Sequence, residues 1–127
     1  MRLIKKTKVR KFKVGWDKKI TLKDVGSLYL NNDENITLKN LNSKKEYDIC
    51  KKDWGYYGIP SLNKRLKKFG YKAALVKNMI LGTFGILIVD EEKKKDFLEY
   101  LKSQKMILLC WLDLNNLKKI ENIFLKK

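Results

Sequence analysis

Alternation of apolar and polar residues dominates the first half of the chain. The first run sets Phe12, Val14 and Trp16 against lysine and glycine, and runs with the same period of two follow at 28–30, 36–38 and 47–49. A period of two is typical of β-strands with one buried face. Turn-forming residues separate the runs, so the pattern predicts an antiparallel β-meander in residues 1–44.

From residue 46 onward the pattern changes to an alternation of strands and helices. Apolar residues recur every three or four positions in 61–69 and 91–103, which predicts two amphipathic helices. Asp90 and Asp113 are placed to cap the second helix and a short C-terminal helix, in which Phe124 should face inward. Apolar runs predict further strands at 71–77, 83–89 and 106–112.

Counted from the strand at 46–50, the order is strand, helix, strand, strand, helix, strand. This βαββαβ order is typical of ferredoxin-like folds, in which two helices cover one face of a four-stranded sheet. We therefore predict a single α+β domain over 1–127, with the meander in 1–44 and the ferredoxin-like part in 45–127. The almost wholly apolar strand at 83–89 is expected at the centre of the sheet.

Several classes of chemistry lack their usual residues. The chain has no histidine, and its two cysteines, Cys50 and Cys110, are 60 positions apart. The commonest general base and metal ligand are therefore missing, and the cysteines do not form a zinc ligand pair. We expect buried, reduced thiols, no metal and no cofactor. A non-catalytic protein is favoured over a small enzyme that acts from residues 53–65.

The chain also lacks the signals of membrane insertion or export. Its longest apolar stretch, residues 79–89, is shorter than the roughly 20 residues that cross a bilayer. The basic N-terminus is not followed by the apolar segment of a signal peptide. We expect a soluble, cytoplasmic protein without a membrane span.

The net charge of +16 has two interpretations. The first is a polyanionic partner, of which such a charge is typical. The second is codon bias, because 27 of the 30 basic residues are lysine, as AT-rich coding DNA would produce. The first fourteen residues are basic and contain no acid, and a second basic cluster follows in the helix at 61–69. If the charge serves nucleic-acid binding, the predicted contacts are Lys5, Lys6, Lys8, Arg10, Lys11, Lys67 and Lys68.

The segment between the strand at 46–50 and the helix at 61–69 is rich in aromatic residues. Trp54, Tyr56 and Tyr57 lie among glycines, just before Lys64 and Arg65. Exposed rings beside cations would form a stacking platform for an anionic, ring-shaped ligand. Buried rings would instead close the end of the core. We expect a mixed arrangement, with Trp54 turned inward and one tyrosine outward.

Three groups of residues carry a resemblance to a protein family. They are residues 46–66 (Glu46 to Asp48, Lys51 to Tyr57, Pro60 to Asn63, Arg65 and Leu66), residues 70–78 (Gly70 to Lys72, Leu75 to Asn78) and residues 110–112. Together they resemble short uncharacterised bacterial proteins associated with cell-surface polysaccharide gene clusters. The resemblance covers residues 45–112 and implies an accessory role in glycan metabolism, with no known catalytic residues.

These observations predict a small basic binding or accessory protein. Its ligand would be an anionic glycan or a nucleotide-sugar, held by Trp54, Tyr56, Tyr57, Lys64 and Arg65. An acidic partner protein would satisfy the same charges. Nucleic-acid binding through the basic N-terminus and the 61–69 helix is the alternative.

Overall fold

A computed structural model describes residues 1–125 and shows a mixed α/β chain whose sheets are all antiparallel. Two compact units are formed, Met1–Leu38 with Asp48–Ile59 and Lys39–Tyr47 with Pro60–Lys127. We call them the first and the second unit. The elements are β1 (Arg2–Val14), β2 (Ile20–Tyr29), β3 (Asn35–Lys39), β4 (Glu46–Lys52), β5 (Gly55–Gly58), α1 (Arg65–Lys68), β6 (Tyr71–Asn78), β7 (Phe84–Asp90), a 3-10 turn (Glu91–Lys93), α2 (Lys94–Ser103), β8 (Met106–Trp111) and α3 (Leu114–Phe124).

A long two-stranded ribbon, β1 paired with β2, forms much of the first unit. The ladder is interrupted between Lys5 and Arg10, where residues 6–9 of β1 bulge opposite a single residue of β2. Gly26 lies beside this bulge, and a Cβ there would stand 2.3 Å from the carbonyl oxygen of Ile4. Only glycine therefore permits the two backbones to approach so closely.

The remaining strands of the first half form a separate sheet in the order β3-β4-β5. Two residues, Asp53 and Trp54, connect β4 to β5 in a tight turn. The predicted meander is therefore divided between two sheets, and the aromatic segment is a strand rather than a loop. Because β3 and β5 occupy both edges of β4, this strand has no edge left for a partner in another sheet.

The second unit is built on a three-stranded sheet in the order β7-β6-β8. Its central strand, β6, presents small residues to both faces, and Ala73, Ala74 and Val76 are almost fully buried. Val76 and Ala74 pack with Leu101 of α2 on one face, whereas Ala73 packs with Leu66 of α1 on the other. Small side chains on the central strand let helices approach the sheet from both sides.

This arrangement corrects the ferredoxin-like prediction. The sheet has three strands instead of four, and α1 and α2 lie on opposite faces instead of one. The strand at 83–89 forms the edge of the sheet and not its centre. Leu117 and Ile120 of α3 share the face of α1, so each face receives at least one helix.

The local signals were more reliable than the long-range ones. The carboxylates of Asp90 and Asp113 accept hydrogen bonds from the backbone N–H groups of Glu92 and Asn116, which confirms both predicted caps. The predicted helix at 61–69 is limited in the structure to the four residues of α1. Phe124 is exposed, contrary to prediction. None of the helices within residues 1–125 has the length and apolar character needed to span a membrane.

Candidate functional site

Near the tip of the ribbon, its two faces differ sharply in chemistry. Opposite residues of an antiparallel ladder share a face, and the pairs Phe12–Leu22 and Val14–Ile20 make one face apolar. The pairs on the other face are Lys11–Lys23 and Lys13–Thr21. We call Lys11, Lys13 and Lys23 the lysine face.

Like charges stand directly opposite each other on the lysine face. All three side chains are exposed, and none forms an ion pair within the described part of the chain. Directly opposed like charges destabilise a strand pair, because their repulsion is not offset by a cross-strand attraction. An external anion removes that repulsion, so the lysine face is electrostatically suited to a polyanion.

Two other basic residues of β1 already lie close to a carboxylate. Lys6 Nζ lies 2.5 Å from a carboxylate oxygen of Asp24, and Arg10 lies 3.9 Å from the same oxygen. The hydrogen bond from Lys6 is the main cause that holds the pKa of Asp24 below its usual value. Of the residues predicted to bind nucleic acid, Lys6 and Arg10 thus face a carboxylate within the ribbon, and Lys11 does not.

The turn at the tip of the ribbon adds an exposed aromatic ring. Trp16 is 52% exposed and is followed by Lys18 and Lys19, whose side chains are also exposed. The alternation of the sequence placed Trp16 in a strand, but β1 ends at Val14 and the indole belongs to the turn. Sequence reasoning therefore missed Trp16, Lys13 and Lys23 as candidate site residues. The cross-strand register reveals the two lysines, and the exposure of the indole in the turn reveals Trp16.

The β4–β5 hairpin carries three more exposed rings. The exposed fractions are 66% for Trp54, 69% for Tyr56 and 48% for Tyr57. Trp54 is therefore not the inward anchor that was predicted, and none of the rings closes a core. The turn at Asp53 and Trp54 leaves the indole at the tip of the hairpin, where no strand covers it.

Strand alternation places the two tyrosines on opposite faces of the hairpin. Tyr56 lies opposite Lys51, whose Nζ is 5.7 Å from the ring centroid. Tyr57 lies opposite Cys50 and meets Trp54 edge to face, with the ring centroids 6.3 Å apart. The hairpin therefore offers a ring with an adjacent cation on one face and an aromatic pair on the other.

Backbone and ionic contacts connect the base of the ribbon to this hairpin within the first unit. The N-terminal ammonium group of Met1 lies 2.9 Å from the carboxylate of Glu34. The carbonyl oxygen of Glu34 accepts a hydrogen bond from the backbone N–H of Lys51. Lys52 pairs with Asp33 at 2.7 Å, and this hydrogen bond raises the pKa of the lysine.

The other predicted ligand residues belong to the second unit. The guanidinium carbon of Arg65 lies 5.5 Å from the ring centroid of Phe69, and the side chain of Lys64 is exposed. Lys67 lines a cavity of about 270 Å³ together with Lys72, Glu91 and Asp113. Two cations and two carboxylates balance each other there, so this cavity has no excess positive charge for an anion.

The described residues offer no evident metal site. Within residues 1–125, no three side chains of cysteine, aspartate or glutamate come together in a way that could hold a metal ion. Cys50 and Cys110 are free thiols, the first buried and the second half-buried.

Comparisons with known proteins leave the chain without an identified relative. No protein-family model, curated protein or solved structure matches it. The resemblance to proteins of polysaccharide gene clusters therefore stays a prediction.

Proposed function

We propose that the chain binds single-stranded nucleic acid through its first unit. The observation that carries this proposal is the lysine face, where Lys11 and Lys23 are directly opposed and have no acidic partner in the described chain. Each of these ammonium groups would contact a phosphate and release its counterion on binding. Exposed rings at Trp16, Trp54 and Tyr56 would stack on bases.

The shape of the aromatic hairpin favours a polymer over a nucleotide-sugar. Small ligands are bound in concave pockets that bury most of their surface. Tyr56 and Tyr57 instead project from opposite faces of a narrow hairpin, and their exposed fractions are 69% and 48%. A polymer gains affinity from many weak contacts along its length, so separate exposed rings and lysines suit it better.

The exposed rings also favour a single strand over a duplex. Bases in a duplex are already stacked on one another, whereas unpaired bases are free to stack on protein side chains. Each stacked base contributes about 1–3 kcal/mol with little dependence on sequence. We therefore expect binding that depends weakly on base identity and strongly on salt.

The test is a titration of a labelled 20-nucleotide oligothymidylate at several salt concentrations, followed by fluorescence anisotropy. The key variant is Lys11→Gln/Lys13→Gln/Lys23→Gln. The control is Lys102→Gln/Lys118→Gln/Lys119→Gln, which removes the same charge from exposed positions of the second unit. Loss of three phosphate contacts should reduce the slope of log K against log salt by about 2, since single strands release about 0.7 counterion per contact.

Equal weakening by both triple variants would show that only total charge matters, and would contradict the proposed site. Absence of binding by the native chain would contradict the function itself. A duplex of the same length, a nucleotide-sugar and an acidic glycan complete the series. Tighter binding of any of them than of the single strand would favour the corresponding alternative.

A further inference from the structure

We infer that the second unit forms a homodimer in which β7 of one copy pairs antiparallel with β7 of another. The strand lies at the edge of the β7-β6-β8 sheet, and no strand pairs with its outer side among the described residues. Its seven residue pairs with β6 show no irregularity, so the outer edge presents a regular row of backbone donors and acceptors. Such an edge is a template for another strand.

The β7 edge carries none of the devices that commonly protect an edge strand. Although the protein contains 27 lysines, residues 84–89 include no charged residue and no proline. Natural proteins commonly place lysine, proline or a bulge on an edge strand to prevent pairing. The other edge, β8, has such a device, because its register with β6 shifts between Leu75 and Val76. Of the two edges of this sheet, the β7 edge is therefore the one that can pair with another strand.

Self-pairing accounts for apolar side chains that are otherwise exposed. Phe84 is 64% exposed and Ile86 is 59% exposed, and alternation places both on the same face of β7. In an antiparallel pair centred on Ile86, this residue meets its own copy, and Phe84 meets Ile88 of the other chain. One two-fold axis would thus bring both exposed apolar residues of β7, Phe84 and Ile86, into the contact, as in an isologous interface.

The opposite face of β7 offers space for the remaining side chains. A groove of about 410 Å³ runs between β7 and α2, lined by Leu87, Val89 and Phe97 among others. In the same register Leu87 of one copy lies opposite Gly85 of the other, and a Cβ at Gly85 would meet nothing within 4 Å. The incoming leucine therefore meets open space at Gly85, on the same face of β7 as the groove.

Charge does not oppose this contact locally. The net charge of each copy is +16, but the pairing residues are neutral and the groove contains both Lys93 and Asp96. At physiological ionic strength, repulsion between charges more than about 8 Å apart is largely screened. Strand addition along an uncharged edge is thus compatible with a strongly basic protein, and a second copy supplies a complementary apolar strand.

The first experiment is sedimentation velocity of the full chain over a range of concentrations. We expect the native protein to be dimeric and Ile86→Lys to be monomeric, because a charge at the centre of the interface would be buried opposite its own copy. The control is Ile107→Lys, the same substitution at an exposed position of β8, the other edge. It should remain dimeric.

A native chain that stays monomeric at all concentrations would overturn the inference and leave the edge to a partner of another kind. A dimer that survives Ile86→Lys would overturn it as well, since another surface would then hold the copies together.

The second experiment does not depend on disrupting the interface. Directly opposed residues of an antiparallel pair have Cα atoms about 4.5–5.5 Å apart, within the range that a disulfide bridges. Oxidised Ile86→Cys should therefore give a covalent dimer on a non-reducing gel, and Ile107→Cys should not. Equal cross-linking of both variants, or none with Ile86→Cys, would contradict pairing centred on Ile86.

Discussion

Thr37 of β3 and Asp48 of β4 are joined across the β3-β4-β5 sheet, with Thr37 Oγ1 donating a hydrogen bond of 2.6 Å to the Asp48 carboxylate. Asp48 is buried, which is uncommon for a carboxylate. We expect Thr37→Val to lower the free energy of unfolding by about 1.5–3 kcal/mol, since a hydrogen bond to a buried charged group is lost. Urea unfolding would measure the change. Thr21→Val, at an exposed position of the ribbon, is the control and should change stability by no more than about 0.5 kcal/mol.

Gly26 should tolerate no side chain. The Cβ of Gly26→Ala would lie 2.3 Å from the Ile4 carbonyl oxygen, so the two strands must move apart. We expect a loss of about 1–3 kcal/mol, as for other overpacked sites. Thermal unfolding followed by circular dichroism would measure it. The neighbouring exposed Ser27→Ala should be nearly neutral, and an equal loss there would point to general fragility of β2 instead of a steric clash.

The exposed indole of Trp54 leads to opposite expectations for stability and binding. Because the ring is 66% exposed, Trp54→Ala should cost far less than the 3–5 kcal/mol of a buried tryptophan. The same variant should weaken single-strand binding by about 1–3 kcal/mol if the ring stacks on a base. Tyr100→Ala, an exposed ring of α2, should leave that binding unchanged. An unfolded Trp54→Ala protein would contradict the first expectation, and unchanged binding the second.

The ion pair between Lys45 and Asp90 makes the second unit sensitive to acid. The hydrogen bond from Lys45 lowers the pKa of Asp90, and the same bond raises the pKa of Lys45, which also lies 3.3 Å from Glu92. A lowered carboxyl pKa stabilises the fold above the unfolded-state pKa of about 3.9, and this stability is lost as pH falls through the folded-state pKa.

The raised pKa of Lys45 changes stability in the opposite pH direction. Its stabilisation is complete below the unfolded-state pKa and is lost only as strongly alkaline pH passes the folded-state value. We therefore expect Asp90→Asn to flatten the decline of stability below about pH 4. Urea unfolding at each pH, with Lys45→Gln and the double variant, would isolate the pair. Equal pH dependence of the native chain and Asp90→Asn would contradict this role for Asp90.

Local chemistry could be predicted from the sequence because it depends on neighbouring residues. The helix caps at Asp90 and Asp113 are examples, since their carboxylates accept hydrogen bonds from the backbone N–H groups of Glu92 and Asn116. Each of these signals lies within three residues of the group that it satisfies.

The choice of strand partners could not be predicted in the same way. The alternation at 46–50 identifies a strand, but nothing in that run specifies β3 and β5 as its neighbours. The apolar run at 83–89 indicated a central strand because buried strands are apolar on both faces. An edge strand with exposed Phe84 and Ile86 has the same composition, so the pattern could not separate the two.

The bulge in β1 has a consequence for insertions and deletions. In a regular strand, an odd and an even position such as Leu3 and Phe12 would lie on opposite faces. Here they share one face, because their partners Leu28 and Leu22 are both even positions of β2 and the extra residues of β1 are accommodated in the bulge at 6–9. Removing a single residue within 6–9 would alter only the size of the bulge. Removing one between Arg10 and Val14 would exchange the positions of lysine and apolar side chains in β1. Length variation in related sequences should therefore be tolerated at 6–9 and excluded from the five positions that follow.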